Sequence, residues 1–385
     1  MWTMPDNEKV SSGKPSHFRP FNLLYISSKK KWGGVSSWME KTALGLKQRG
    51  HRVWIVAHPK GRFIGSAHRD LNLLPYKLGM DYNPLSIFYL FYQIKTKKID
   101  VVVTNIEKEV AIGGVAARLA GIPNIRRVGR EDDFNQRRKV KWHHSIFVDR
   151  CIVPCNIIRD NAVKRAPWLN PDQFVTIYNG RNRRTFTIEQ IHHQRQKWGI
   201  NSDSCIIGST SQLSSAKGIE GLIRVFSRIA NRHAQTRLVI TGEGKLKKDL
   251  ADLSKELGIS DRVVFAGFSS DPLKTAAAYD IAVCNSLFEG FPNTVVEYFA
   301  AGRPVITTDA GGVAEMAHHE SNALLIPCND DEKLFTSLNR LIESPHLRSR
   351  LGENAAKTIA NGFSEEVMLD RLEKFYRSCV NSTVI

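Results

Sequence analysis

Glu289 and Glu297 stand eight residues apart, separated by Gly290-Phe291-Pro292-Asn293-Thr294-Val295-Val296. Upstream, Ile281-Ala282-Val283-Cys284 is a short apolar run of the kind that forms a buried strand. Downstream, Thr294 to Ala301 predicts a helix, with Pro292 suited to its start and Asn293 to its cap. Glu289 then falls on the strand-to-helix turn, and Glu297 about one turn into the helix. The free amides at such a helix start attract anions, phosphates above all. A carboxylate beside them repels phosphate but accepts hydrogen bonds from the hydroxyls of an attached sugar or ribose. The local chemistry suits a phosphate ester that carries a sugar. Acids also collect in first helix turns that bind nothing, so the pair by itself leaves both readings open.

The pattern continues beyond the two acids. Ala300-Ala301-Gly302-Arg303-Pro304-Val305-Ile306 follows, then Gly311-Gly312 and Glu315. Together these residues resemble the E-x7-E signature of the retaining glycosyltransferases of family 4, the glycosyl transferases group 1. The resemblance spans roughly residues 20–380 and is densest over 205–327. It implies an α/β protein of the GT-B fold, two doubly wound parallel-sheet (Rossmann-like) domains facing a cleft. The implied reaction moves a sugar from a nucleotide-sugar to a hydroxyl of a glycan acceptor with retention, in a hexosyltransferase of the lipopolysaccharide-core type. No cofactor and no metal are expected, and no D-x-D occurs to clamp a metal-bound diphosphate.

The resemblance also assigns roles. Lys217, in Ser214-Ser215-Ala216-Lys217-Gly218, resembles the lysine that binds donor phosphates, and with Glu289 it makes the catalytic pair. Gln212 stands where many members carry an Arg. Gly33-Gly34 would approach the diphosphate, Gly242-Glu243-Gly244 would lie beside the donor, and the turn at Phe268 would meet the base. The backbone of Gly290, Phe291, Pro292, Asn293 and Thr294 would hold sugar and phosphate, and Glu297 the ribose. Glu107, Arg130 and Asp132 are the acceptor-side candidates. Tyr178-Asn179-Gly180 resembles the family hinge, with Arg181-Asn182 in place of its usual Ile-Asp.

These residues need a scaffold, and the apolar runs supply one. Phe21 to Ser27, the Gly33-Gly34 turn, a helix from Ser36 to Arg49 and a strand from Val53 to Ala57 form one βαβ unit. Further strands are expected at 101–105, 124–128 and 151–153, and a helix over 111–120. The run Val175 to Gly180 closes the first domain. The second repeats the pattern, with strands at 205–209, 237–241, 263–268, 305–309 and 323–326. The boundaries expected are a polar arm over 1–19, an acceptor-side domain over 20–190, a nucleotide-sugar domain over 191–365, and a helix over 366–385 that crosses back. The basic cluster Arg126, Arg127, Arg130, Arg137, Arg138, Lys139 and Lys141 reads as a solvated loop and helix face.

The chain has 385 residues and a net charge of +17. Residues 1–190 carry 33 Lys and Arg against 15 Asp and Glu, and residues 191–385 carry 22 against 23. The asymmetry points to an anionic partner for the first half alone. Without a signal peptide or a run long enough to span a bilayer, a cytoplasmic enzyme held at the inner membrane face by anionic lipid is expected. Its acceptor would be a lipid-linked glycan. The greasy run from Leu85 to Tyr92 reads as a buried helix. Six scattered cysteines complete no zinc pattern and read as reduced core thiols. The rival readings are a nucleotide-sugar epimerase of the same fold, a donor-binding protein without activity, and a nucleic-acid-binding protein. Nucleic acid is not expected, because no aromatic interleaving or binding motif accompanies the charge.

Overall fold

The computed structural model describes residues 19–31, 33–66 and 69–382. The polar arm expected over 1–19 lies outside the described residues except for Arg19, and Trp32 of the first glycine loop lies outside them too.

The apolar runs pair into two wholly parallel sheets. The first joins β1 (Asn22–Ser27), β2 (Arg52–Ala57), β3 (Asn72–Pro75), β4 (Val101–Thr104), β5 (Asn124–Arg127), β6 (Arg150–Val153) and β7 (Phe174–Thr176) in the order β3-β2-β1-β4-β5-β6-β7. The second joins β8 (Cys205–Thr210), β9 (Thr236–Thr241), β10 (Val263–Gly267), β11 (Ile281–Cys284), β12 (Val305–Thr308) and β13 (Leu324–Ile326) in the order β10-β9-β8-β11-β12-β13. The central strands are buried along their length, as parallel strands covered by helices on both faces must be. In each sheet the chain winds one way from its first strand and then the other way from its fourth. Each sheet therefore has a switch point, β1/β4 in the first and β8/β11 in the second. Loops leaving the carboxyl ends of the strands diverge there and leave a crevice. This is the two-sheet GT-B architecture.

The C-terminal helix, Glu365–Ser382, packs on the first sheet. Met368, Leu369, Leu372, Phe375 and Tyr376 join Tyr25, Trp38, Met39 and Leu46 in one core, and the Tyr25 and Tyr376 hydroxyls are 3.1 Å apart. Each fully buried apolar side chain of this kind contributes about 1.5–3 kcal/mol, which fastens the returning helix firmly. The chain passes between the sheets at residues 177–187 and again near Phe363–Glu365. Both crossings touch: Arg181 N–H donates to the Phe363 carbonyl at 2.9 Å.

Three local expectations change. The helix expected over 111–120 is interrupted by a π turn, Val110–Gly114, where Gly113 and Gly114 let Ile26, Asn124 and Phe147 press against the backbone. Arg126 and Arg127 are core residues of β5 rather than solvated ones. Arg126 lies over the Phe134 ring at 4.6 Å, and Arg127 over Trp38 at 4.8 Å. The helix Pro84–Thr96 is buried on one side only, since Leu85 and Phe88 are 75% and 69% exposed.

Candidate active site

Strand order explains why residues far apart in sequence meet. Lys217 lies in the loop after β8 and Glu289 in the loop after β11, and these strands are neighbours at the switch point. Lys217 Nζ lies 2.5 Å from Glu289 Oε1, with both side chains largely buried. Ser286 Oγ donates to the same oxygen at 2.7 Å. Close by, burial and then the Glu289 charge push the Cys284 thiol up to about 11, so it stays protonated. The turn after β9 forms an adjoining wall. Gly242 has φ 136°, and a Cβ there would overlap the Ser211 carbonyl, so only glycine fits. Gly244 is held equally closely against Leu213. Gln212 is exposed between these two residues, and Phe268 is 71% exposed beyond β10.

The helix after Glu289 runs Asn293–Ala300. Asn293 was expected to cap it. Instead Pro292 occupies the cap position without a side-chain bond, and Asn293 is the first helical residue. Its Oδ1 accepts from Asn179 Nδ2 at 2.8 Å, on the first crossing between the sheets. Opposite stands the start of the first helix, Gly34–Gln48, preceded by Gly33. This end also lacks a side-chain cap, and neither helix has an acid in its first turn. A Cβ placed on Gly34 would lie 3.8 Å from Asn293 Nδ2. Two uncapped helix N-termini, one from each half of the chain, thus lie close together. Their partial positive charges add, and with Lys217 nearby they suit a polyanion.

Other expected residues serve the frame. Phe291 points away from the mouth and stacks on Phe363, and its ring is 5.6 Å from Tyr178. The Gly290 carbonyl accepts from Gly312 N–H at 2.8 Å. Thr294 sits in the first turn of the helix. Glu315 caps the helix Asn156–Arg165, accepting from Asn156 and Ile157 N–H at 2.9 Å each and from the Tyr178 hydroxyl at 2.8 Å. Burial, then this hydrogen bond to Glu315, push the Tyr178 phenol well up.

Glu297 is not open on all sides. Arg181 reaches its Oε1 with Nε at 3.2 Å and Nη2 at 3.1 Å. Lys41, from the first helix, lines the same narrow crevice as Arg181, Asn179 and Asn293. Burial, then the Arg181 charge, push the Lys41 ammonium down to about 8, against the pull of Glu297 and Glu365.

On the first sheet, Glu109 ties the two switch-point loops together. Its carboxylate accepts from Ser28 N–H at 2.7 Å after β1 and from Asn105 N–H at 2.9 Å after β4. Glu107 lies beside it, 3.1 Å from Arg126 and 2.7 Å from His143 Nδ1. His143 in turn hydrogen-bonds the Tyr82 hydroxyl, and Tyr82 holds a left-handed φ of 60°. Arg130 and Asp132 do not join this chain but pair with each other at 2.7 Å on the surface. Sequence reasoning missed Lys41, Tyr82, Glu109 and His143, because no motif marks them. Arg181 was visible as a departure from the hinge pattern, without a partner. Among the described residues, no three His, Cys, Asp or Glu side chains cluster so as to hold a metal ion.

Two family models match the chain: Glycosyltransferase Family 4 over residues 32–184 and Glycosyl transferases group 1 over residues 190–358. The chain belongs to this glycosyltransferase family. Among curated relatives, a lipopolysaccharide core biosynthesis glycosyltransferase, LpsD of Rhizobium meliloti, is 34% identical over 44% of this chain and 48% of its own length. An N-acetylgalactosaminyltransferase of Campylobacter jejuni, named for a diphospho-undecaprenol substrate, is 33% identical over 41% of this chain and 42% of its own. The chain spans about half the length of the curated relatives it matches. The fold is shared more widely. A glycosyltransferase from Rickettsia africae superposes with a TM-score of 0.83 at 19% identity, over 94% of this chain and 99% of the other. Anabaena HepE, solved with UDP-glucose, superposes with a TM-score of 0.81 at 20% identity, over 93% and 99%.

Proposed function

We propose that the protein is a retaining glycosyltransferase that moves a hexose from a nucleotide-sugar to a hydroxyl of a lipid-linked, phosphate-bearing glycan. A lipopolysaccharide core precursor or a similar cell-surface glycan fits this description. The observation that carries the reading is the meeting of two uncapped helix N-termini beside the Lys217–Glu289 pair. Breaking the donor's glycosidic bond leaves negative charge on the nucleoside diphosphate. Lys217 and the helix-start amides would stabilise that charge without a metal, since fixed dipoles and a cation already face the place where it develops. Lys217 would leave Glu289 for a phosphate oxygen as donor enters. The freed carboxylate would then accept hydrogen bonds from the sugar hydroxyls, and Glu297 from those of the ribose. Gln212 in place of an Arg leaves the diphosphate one cation fewer, so the helix ends carry more of the work. HepE, with bound UDP-glucose, supports a diphosphate donor for this fold.

On the acceptor side, the excess of Lys and Arg in residues 1–190 favours an anionic surface. Leu85, Phe88 and Trp142 are exposed on the helices Pro84–Thr96 and Arg138–Phe147, and Trp142 is flanked by exposed Arg138, Lys139 and Lys141. Such a mixture suits peripheral docking to anionic lipid at the inner membrane face, each well-placed Lys or Arg adding about 1 kcal/mol. No described helix is long and apolar enough to cross a membrane. The names of the curated relatives, among them a second lipopolysaccharide core glycosyltransferase of Rhizobium meliloti, point to the same acceptor class.

The test is a calorimetric screen of nucleotide-sugars, followed by transfer assays of the best donor with lipid-linked and soluble glycan acceptors. Donor binding with transfer to the lipid-linked glycan supports the reading, and failure of every donor to bind overturns it. Binding followed only by epimerisation or hydrolysis would favour an epimerase. Binding without any turnover would favour a regulatory protein.

A further inference from the structure

The grip of Arg181 on Glu297 is one-sided. An arginine fork facing a carboxylate ordinarily makes two parallel bonds, one to each oxygen. Here Nε and Nη2 both go to Oε1, at 3.2 and 3.1 Å. Oε2 accepts no hydrogen bond from the described residues, although the side chain is only 12% exposed. The third nitrogen, Nη1, is anchored on the Gly180 carbonyl at 2.9 Å. The backbone beneath is fixed as well. Arg181 N–H donates to Phe363, and a Cβ on Gly180 would overlap the Ser364 carbonyl. The guanidinium is thus built on the place where the chain crosses between the sheets in both directions, and it reaches a helix of the second sheet.

A buried ion pair of this kind is a weak source of stability, because desolvation cancels most of the attraction. Fold stability alone would be served as well by two apolar side chains. Arg181 also brings a second cation close to Lys41, which raises the cost further. The arrangement makes sense if the carboxylate has to be held in one orientation, with one oxygen occupied and the other presented.

We propose that Arg181 is a positioning residue for the donor ribose. By taking Oε1, it fixes the Glu297 carboxylate so that Oε2 receives the ribose hydroxyls, and it makes that grip depend on the crossing between the two sheets. This rests on the donor-site reading above. It differs from that reading in placing part of the ribose selectivity on a residue that never touches the ligand.

The test compares paired probes, UDP with dUDP, CDP with dCDP, ADP with dADP and GDP with dGDP, by calorimetry on the full chain. Wild type should bind the ribonucleotide of its preferred base about tenfold to a hundredfold more tightly than the deoxy form, the range of one charge-assisted hydrogen bond. In Arg181→Met the preference should fall to within about threefold while affinity for the deoxy form is kept, and Arg181→Lys should restore part of it. Arg181→Met leaves a buried carboxylate unpaired and is at risk of misfolding. Arg181→Lys keeps the buried charge paired, so it also serves where Arg181→Met does not fold, and its ribose preference should fall below that of wild type while affinity for the deoxy form is kept. An intact ribose preference in folded Arg181→Met, or an equal loss for both members of the pair, overturns the proposal. If wild type prefers no ribonucleotide and Glu297→Gln changes nothing, the ribose role of Glu297 itself fails, and the positioning role falls with it. If wild type discriminates and only the Arg181 variants behave as wild type, the donor reading stands and the positioning role alone is lost.

Discussion

Lys41 is held at a cost that a single substitution can reveal. Its ammonium is partly buried in the crevice between the two sheets, with Arg181 close by, and these two causes push it from its ordinary 10.5 down to about 8. In the unfolded chain it keeps the ordinary value. Between about pH 8 and 10.5 the unfolded chain therefore holds a proton that the folded chain has released, and stability rises with pH across that window. Below pH 8 both states are charged and the full penalty applies. A shift of this size corresponds to about 3 kcal/mol at most, and the partial exposure of the side chain reduces it to about 1–2 kcal/mol. Lys41→Met keeps the length and volume of the stem and removes the charge. In the ligand-free protein it should raise the melting temperature at pH 7 by about 2–8 °C, at about 2–4 °C per kcal/mol for a domain of this size. The gain should shrink through pH 9 and vanish near pH 10.5. Other lysines and tyrosines titrate in the same range, so the quantity to follow is the difference between variant and wild type in matched buffers. A variant no more stable than wild type at pH 7, or a gain that stays constant to pH 10.5, would refute the reasoning.

Three further outcomes follow from the same geometry. Glu297→Gln should weaken donor binding by about 1.5–3 kcal/mol, the scale of a hydrogen bond to a charged group, and unchanged affinity by calorimetry in a folded variant would count against the ribose role. Gly180→Ala should destabilise by about 1–3 kcal/mol through overlap with the Ser364 backbone, read as a lowered melting temperature; a neutral effect would mean the two crossings are looser than described. Transfer should survive EDTA, because Lys217 and the helix ends supply the positive charge; complete loss restored by a divalent cation would contradict that.

Much of this was legible in the sequence. The central strands are near-continuous apolar runs between glycine and proline punctuation, so β1, β2, β4, β8, β9, β11 and β12 could be placed to within a residue or two. β3 was not seen, since Asn72-Leu73-Leu74-Pro75 is a short edge strand with exposed ends. Lys217 and Glu289 could each be named because each lies in a recognisable motif, but their contact across neighbouring strands β8 and β11 could not be read. The cap at Asn293 was misread, since Asn179 captures its side chain from 114 residues away. The burial of Arg126 was invisible for a similar reason. A charged residue enters a strand only when partners such as Glu107 and the Phe134 ring are brought to it by the fold. Local periodicity carries no record of those partners. Arg181 shows the boundary clearly. Its departure from the hinge pattern could be read, but its grip on Glu297, 116 residues on, could not.

The central claim is that this cleft transfers a sugar from a nucleotide diphosphate with the anomeric configuration kept. The most direct measurement uses a donor labelled with 13C at the anomeric carbon and follows the product by NMR with a lipid-linked glycan acceptor. The account predicts a new glycosidic signal with the donor's own anomeric configuration, reduced strongly in Lys217→Met. An inverted anomer, or release of free sugar alone with acceptor present, would contradict it.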